Sequence, residues 1–388
     1  MKIAKVEAYW LRCPIPKHKQ HRSDYGLLTA FDTTLIVVTT ESGLQGFGEG
    51  KAAVGSSGVC ASIVSCVEKE LAPILIGKDA RNINELWERM YNGVRDHYAI
   101  KRGRTFPILG NRGLTISAIS GVDMALWDLL GKHLNVPVVQ LLGGAVREKM
   151  ETYASGGWAS AENIGEQLRS YTAKGFQAIK MRVGVMDETV DYSIERVKAA
   201  RAGLGNDIKI MADAHGTFSV PEAKRFCRGV EDCNLYWMEE PISPDHKKGT
   251  AEVRQSTIIP IAAGESEFTR FDMRELITLN AVDVLQPDAA IIGGITEAWR
   301  VASLAATHQL ELAPHCWGSA FSFMAGVNVA FASPSAAIIE FSAGGNPMMY
   351  DLVEENIEVN NGYIDAPTAP GLGLNVNWDF VKTYQQLI

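Results

Sequence analysis

The residues able to do chemistry gather in the second half of this chain, each at the end of a short apolar run. FQAIKMR ends on Lys180 and Arg182, IKIMAD leads into Asp213 and His215, LYWME ends on Glu239, and IPIAAGE ends on Glu265. VDVLQPD, QLELAPH and AAIIE then end on Asp288, His315 and Glu340. In an extended strand, side chains two apart share a face. Ile179, Met181 and Val183 therefore oppose Lys180 and Arg182, and Ile208, Ile210 and Ala212 oppose Asp213 and His215. By the same reading Glu239, Glu265, Asp288, His315 and Glu340 turn inward, whereas Glu240 faces away and is structural. Three carboxylates at one depth on adjacent strands (Asp213, Glu239, Glu265) repel one another unless something neutralises them. A hard divalent ion does so, and Mg2+ suits carboxylate and water ligands where Zn2+ favours Cys and His. Asp288 and His315 end neighbouring strands, so the carboxylate can fix the imidazole tautomer and raise its basicity. Any one of these residues alone reads more plainly as a loop cap, a salt bridge or a satisfied core histidine. Their succession points to metal-assisted acid–base chemistry.

The elements that must position them form a regular series. Strand-like runs at 151–155, 176–182, 208–213, 235–239, 259–265, 282–288, 309–315 and 336–340 alternate with amphipathic stretches. From Lys180 onward their polar ends recur every 23 to 33 residues, the length of one βα unit. Eight such units predict a parallel barrel, whose C-terminal mouth collects catalytic groups because the βα loops start there. Ahead of it, 3–12, 33–40 and 43–49 read as strands and 58–75, 83–96 and 113–131 as helices, the second with an Ile83, Leu86, Met90, Val94 stripe. The tail, with Pro347, Pro367 and Pro370, has no core of its own and should fold back onto the N-terminal region. The expected organisation is an α+β cap over 1–135, a barrel over 136–345 and a returning segment over 346–388. The polar stretch 14–27 should be an exposed loop. Within 16–30, His18, His21, Arg22 and Tyr25 are available for the far end of a substrate, with Lys17 and Lys19 beside them. Trp317 could line the same pocket, and the Gly/Ser-rich stretch 50–58 could close over it as a lid.

Composition narrows the class. The chain has 388 residues, 46% of them hydrophobic and 21% charged, which excludes disorder and leaves ample material for a core. Its 37 basic and 45 acidic residues give a net charge of −8 with no basic stripe, against a nucleic-acid partner. Six cysteines without a CxxC pair read as reduced, buried thiols. The start runs straight into an alternating strand, and no stretch approaches the roughly 18 apolar residues of a membrane span. A cytoplasmic homo-oligomer acting on a small carboxylate is the expectation, with neither nucleic acid nor membrane as partner.

Taken in order, Lys180-Met-Arg182, Asp213-Ala-His215, Glu239-Glu-Pro, Gly264-Glu265, Gln286-Pro-Asp288 and Pro314-His315 resemble the enolase superfamily, and within it the mandelate racemase and muconate lactonizing enzyme group. Ser117-Ala-Ile-Ser-Gly-Val-Asp123-Met-Ala-Leu-Trp127-Asp128 also resembles that group's helix leading from cap to barrel. The resemblance covers nearly the whole chain. It implies an α+β capping domain on a (β/α)7β barrel, with Mg2+ held by Asp213, Glu239 and Glu265 and gripping a substrate carboxylate. A base would then take the proton α to that carboxylate, giving an enediolate. His315, with Asp288, matches the acid/base on one face, and Lys180 and Arg182 occupy the family's Lys-x-Lys site on the other. Arg182 departs from that pattern, since a guanidinium stays protonated. Either Lys180 is the base, or Arg182 acts electrostatically and His315 carries most of the proton transfer. Glu340 matches an eighth-strand Glu that hydrogen-bonds the substrate carboxylate in relatives, with a barrel salt bridge as the other reading. His215 stands where Asn is common. It resembles the histidine by which some sugar-acid dehydratases protonate a departing β-hydroxyl; a metal-shell histidine is the alternative. The implied activity is a Mg2+-dependent sugar-acid dehydratase. Behind it stand a cycloisomerase of a sugar lactone or anhydro-sugar acid, a racemase or epimerase, and a barrel that binds metal and sugar acid without turnover.

Overall fold

The computed structural model describes residues 1–23, 26–52, 58–93, 103 and 110–387, with only the backbone of His21 and Arg22. Tyr25, Val94 and most of the expected lid, residues 53–57, lie outside the described residues. Alternation builds the cap. Strands β1 (Ile3–Pro14), β4 (Ala30–Thr40) and β5 (Gln45–Gly50) form an antiparallel sheet in the order β1-β4-β5. Ile36 and Val38 enter the cap's own core with Trp87, Ile119 and Val122, while Leu35, Val37 and Phe47 on the other face join the barrel's core. Between β1 and β4 the expected loop is more ordered than its polarity suggests. It holds a 3-10 turn at Lys17–Lys19 and a small hairpin of β2 (His21–Ser23) and β3 (Gly26–Leu28).

The helical part of the cap follows the periodicity with local breaks. The expected 58–75 helix is three joined pieces, Ala61–Cys66, a π-turn at Val67–Leu71 and Ala72–Leu75. The next helix, Ile83–Asn92, stops at Gly93, which has φ +58°; Ile83, Leu86 and Met90 are buried as the stripe requires. The long helix Leu114–Leu134 is apolar on almost every side, contrary to the expectation of no span-like stretch: an 18-residue window has mean hydropathy 1.3. Its apolarity is used internally, with 78% of that window buried. It lies directly on β5 because Gly46, Gly48 and Gly50 line that face. A Cβ on Gly48 would sit 2.1 Å from the Gly121 carbonyl oxygen, and one on Gly46 equally close to that of Ala125.

The barrel follows. Strands β6 (Lys149–Ser155), β7 (Ala178–Arg182), β8 (Lys209–Asp213), β9 (Trp237–Glu239), β10 (Ile261–Ala263), β11 (Val284–Leu285) and β12 (Glu311–Leu312) pair in parallel in chain order. Strand β13 (Ile338–Ser342) pairs in parallel with β6, and a Leu312–Ala336 bridge closes the ring. Seven helices separate the eight strands, giving a (β/α)7β barrel. The later strands are shorter than their apolar runs, since two residues of β11 and β12 satisfy the ladder before the chain turns out. One layer of inward residues (Tyr153, Ala178, Met211, Trp237, Ala262, Val284, Ala313, Ile338) fills the interior and floors the mouth. The tail first adds β14 (Tyr363–Asp365) antiparallel to β6, then sends helix Trp378–Tyr384 back to the cap, where Gln386 N donates to the Trp10 carbonyl.

Candidate active site

Two residues beyond that floor on each strand, alternation places Ser155, Lys180, Asp213, Glu239, Gln286, His315 and Glu340 around the C-terminal mouth. Most of them line a cavity of about 990 Å³ that runs from the barrel up to the cap. A groove of about 770 Å³ at the opposite end holds the Arg254–Asp283 pair at 2.7 Å and none of the strand-end residues of the mouth.

Lys180 is the hub of the charges. Its ammonium bonds Glu239 and lies 3.0 Å from Glu340 and 3.5 Å from Asp213, over the Tyr153 ring. Burial works against its charge, but Glu239 and Glu340 prevail and hold its pKa well above the ordinary lysine value. Glu340 accepts the Cys316 backbone N–H at 2.9 Å; burial opposes its charge, yet Lys180 and His315 pull its pKa down to about 2. Burial, with Asp213, Glu265 and Glu340 nearby, instead holds Glu239 up at about 7 against the pull of Lys180; it also accepts from the Trp237 indole at 2.9 Å. Arg182 stacks over Trp158 and reaches Asp213 at 3.1 Å.

Glu265 and Glu240 enter by backbone conformation. Counting Glu265 as inward by alternation names the right residue for the wrong reason. With Ala262 inward, strict alternation turns Gly264 in and Glu265 out, and it is Gly264, at φ +138°, that brings Glu265 into the mouth. Glu240 corrects the expectation that it faces outward. Its φ of +37° turns it in, so that ligand atoms of Glu240, Glu265 and His215 lie within 4.8 Å of one another. His215 is itself in the left-handed region, at φ +47°. Such conformations cost about 1–3 kcal/mol and concentrate at functional sites. Glu240 is buried, its Oε1 has no hydrogen-bond partner among the described residues, and burial beside Glu265 holds its pKa well above the carboxylate range. Buried carboxylate oxygens with uncompensated charge are what a hard divalent cation would neutralise, so the donor set fits one.

Two imidazoles flank Glu265. His315 Nε2 is 3.5 Å from Oε2 and His215 Nε2 is 3.5 Å from Oε1. His315 Nδ1 is 2.6 Å from Asp288 Oδ2, the pairing that strand order anticipates. Burial disfavours a charged His315, but Glu265, Glu340 and Asp288 push its pKa up to about 9. Sequence reasoning missed Lys51, from the cap, which lies 2.5 Å from the same Asp288 oxygen. Burial opposes the charge on Asp288, yet Lys51 and His315 hold its pKa below the ordinary value.

Of the expected substrate contacts, Trp317 lines the cavity; His18 is exposed, and its neighbour Lys19 lines the cavity instead. The side chains of His21 and Arg22 are outside the description, as is Tyr25. All six cysteines are free and buried.

This geometry can be set beside known proteins. Residues 15–143 match the family model of the mandelate racemase / muconate lactonizing enzyme N-terminal domain, and residues 163–380 match the enolase C-terminal domain-like model. The chain belongs to the mandelate racemase / muconate lactonizing enzyme family. It is 31% identical to D-galactarolactone cycloisomerase of Agrobacterium fabrum over 99% of both chains. With D-galactonate dehydratase of Ralstonia nicotianae it shares 34% identity over 88% of each. Among solved structures it is similar to a racemase from Streptomyces coelicolor A3(2) with bound magnesium. That match has TM-score 0.85 and 28% identity, and covers 99% of this chain and 100% of the other.

Proposed function

We propose that this enzyme is a Mg2+-dependent sugar-acid dehydratase, removing the proton α to a carboxylate and expelling a β-hydroxyl as water. The observation that carries the reading is the pair of imidazoles on either side of Glu265, since elimination needs one group to take a proton and another to give one. Asp213, Glu239 and Glu265 would hold the cation, with Glu240 behind them; when bound, it supplies positive charge to the substrate carboxylate.

His315 is assigned as the base. Asp288 accepts from Nδ1, and Nε2 faces Glu265 and Glu340, whose charges favour the protonated imidazole. A cation held by Glu265 would remove much of that pull and free the Nε2 lone pair for the α-proton. Lys180 is not free to serve, because Glu239 and Glu340 keep it an ammonium; its role, like that of Arg182, is electrostatic. Glu340, bonded to Lys180 and the Cys316 N–H, holds that ammonium at the substrate carboxylate. His215 is assigned as the acid. The C–H electron pair moves into the carboxylate-stabilised enediolate and returns to form the C=C bond as the β C–O bond breaks. His215 protonates the departing oxygen, and the enol tautomerises to a 2-keto-3-deoxy acid. Racemisation would need a free base on the second face, where the charge on Lys180 and Arg182 stands against it.

The match to a galactarolactone cycloisomerase over 99% of both chains favours a second reading, in which a ring oxygen leaves in place of the hydroxyl. The test is a panel of aldonates, aldarates and their lactones with Mg2+ in D2O. The expected result is a 2-keto-3-deoxy product, with α-proton exchange abolished in His315→Asn and elimination abolished in His215→Asn. Exchange without elimination across the panel would overturn dehydration. Thermal stabilisation by an acid with no exchange in any protein would reduce the chain to a binder.

A further inference from the structure

We propose that Lys51, carried at the end of cap strand β5, is a positioning residue for the Asp288–His315 pair, so that the base is completed only when the cap is seated on the barrel. The inference rests on reading His315 as the base.

The strand makes the placement inevitable. In Gly46-Phe47-Gly48-Glu49-Gly50-Lys51, the glycines face helix Leu114–Leu134, and Phe47, Glu49 and Lys51 face the barrel. Lys51 is 2% exposed, a rare setting for a lysine unless its charge is used. Its ammonium donates to Asp288 Oδ2 at 2.5 Å and to the Trp317 carbonyl at 2.7 Å. The same Oδ2 takes His315 Nδ1 at 2.6 Å, while Oδ1 accepts the Ala290 N–H at 2.8 Å. The carboxylate is thus held at both oxygens, and among the described residues Lys51 is the one cation bonded to it from outside the barrel. Without that ammonium, Oδ2 keeps only the imidazole while Oδ1 stays on the Ala290 N–H, so the carboxylate can pivot about Oδ1 and shift the imidazole with it. Misplacing a catalytic group by about 1 Å costs on the order of a hundredfold in rate. The Trp317 bond adds a further consequence, because it fixes the loop whose indole lines the cavity.

Glu49 separates cap docking from positioning. Its carboxylate accepts the Thr33 hydroxyl at 2.5 Å and the Ser319 N–H and hydroxyl at 2.9 and 2.7 Å, so it clasps the barrel without touching Asp288. The experiment compares Mg2+-loaded parent, Lys51→Met, Lys51→Arg, Glu49→Gln and His315→Asn. The first readout is the far-downfield proton resonance of His315 Nδ1, identified by its loss in His315→Asn. It should move or vanish in Lys51→Met, be largely restored in Lys51→Arg, and stay in place in Glu49→Gln. The second readout is kcat and KM for α-proton exchange on D-galactonate. Lys51→Met should lower kcat about a hundredfold with KM within about threefold, and Glu49→Gln should lower melting temperature with far less effect on kcat. A parent resonance unmoved in Lys51→Met overturns the proposal. So does a kcat loss in Lys51→Met no greater than in Glu49→Gln. Full exchange in His315→Asn would instead sink the assignment of the base, a failure separate from that of Lys51.

Discussion

At the scale of single residues, the site is a set of like charges kept together by two ammonium groups. Lys180 neutralises Glu239, Glu340 and part of Asp213, and Lys51 neutralises Asp288. Lys180 and a bound cation therefore compete for the same oxygens. Replacing Lys180 by Met removes one partner of a buried cluster, a change that costs about 3–5 kcal/mol. Urea unfolding of the metal-free variant should show a loss of that order, and saturating Mg2+ should recover more stability in Lys180→Met than it adds to the parent. An equal Mg2+ increment in both proteins would contradict the competition. Glu240 supports the same charge logic from the other side: Glu240→Gln should weaken Mn2+ binding about tenfold in titration calorimetry, and unchanged affinity would leave its buried oxygen unexplained.

At the scale of elements, the turns after β8, β9 and β10 decide which carboxylates reach the mouth. Gly264 is the clearest case. Alanine there would meet Met273 Cε at 2.7 Å and the Gln286 nitrogen at 3.0 Å, at a φ that L-residues rarely adopt. Gly264→Ala should cost about 1–3 kcal/mol of stability and weaken divalent-ion binding as Glu265 swings away. Normal affinity with normal stability would show that the backbone at Gly264 is not what places Glu265. Strand β5 carries the complementary constraint. Gly48→Ala would drive a methyl group against the Gly121 carbonyl and the Met124 side chain, and overpacking of this kind costs about 1–3 kcal/mol. The expected sign is a lowered melting temperature together with lowered activity, because the strand that supports the helix also delivers Lys51.

At the scale of the molecule, cap and barrel are joined through buried polar bonds. Asp123, on the long cap helix, accepts the Thr296 N–H at 2.9 Å and its hydroxyl at 2.6 Å, and the Trp127 indole bonds the same hydroxyl. Trp87 donates to the Gly293 carbonyl beside them. Burial outweighs the Thr296 bonds and raises the Asp123 pKa from 3.8 to about 7. A carboxyl group raised on folding contributes stability that is full below its unfolded value and is lost as pH rises through the folded one. The window is pH 4 to 7, and a shift of about three units corresponds to on the order of 4 kcal/mol. Urea unfolding at pH 5 and pH 8 should show the parent losing stability relative to Asp123→Asn, which cannot ionise. Parallel curves for the two proteins would refute the shift.

The sequence determined the repeat and the chemistry. Eight apolar runs ending in polar residues fix a parallel barrel, because the side-chain period of a strand is two and a βα unit has a narrow range of length. Asp213, His215, Glu239, Asp288, His315 and Glu340 are legible in that period, as is the pairing of Asp288 with His315 on neighbouring strands. What the period cannot encode is a backbone that leaves it. Glu240 reaches the mouth through its own positive φ and Glu265 through that of Gly264, so the alternation that counted Glu265 inward and Glu240 outward follows neither backbone. Lys51 was legible only as one residue of a Gly-rich stretch. Its face is set by the glycines that admit the cap helix, and its partner lies 237 residues away. Only the tertiary structure could decide that contact, because it depends on how cap and barrel pack together, and no local pattern carries that information.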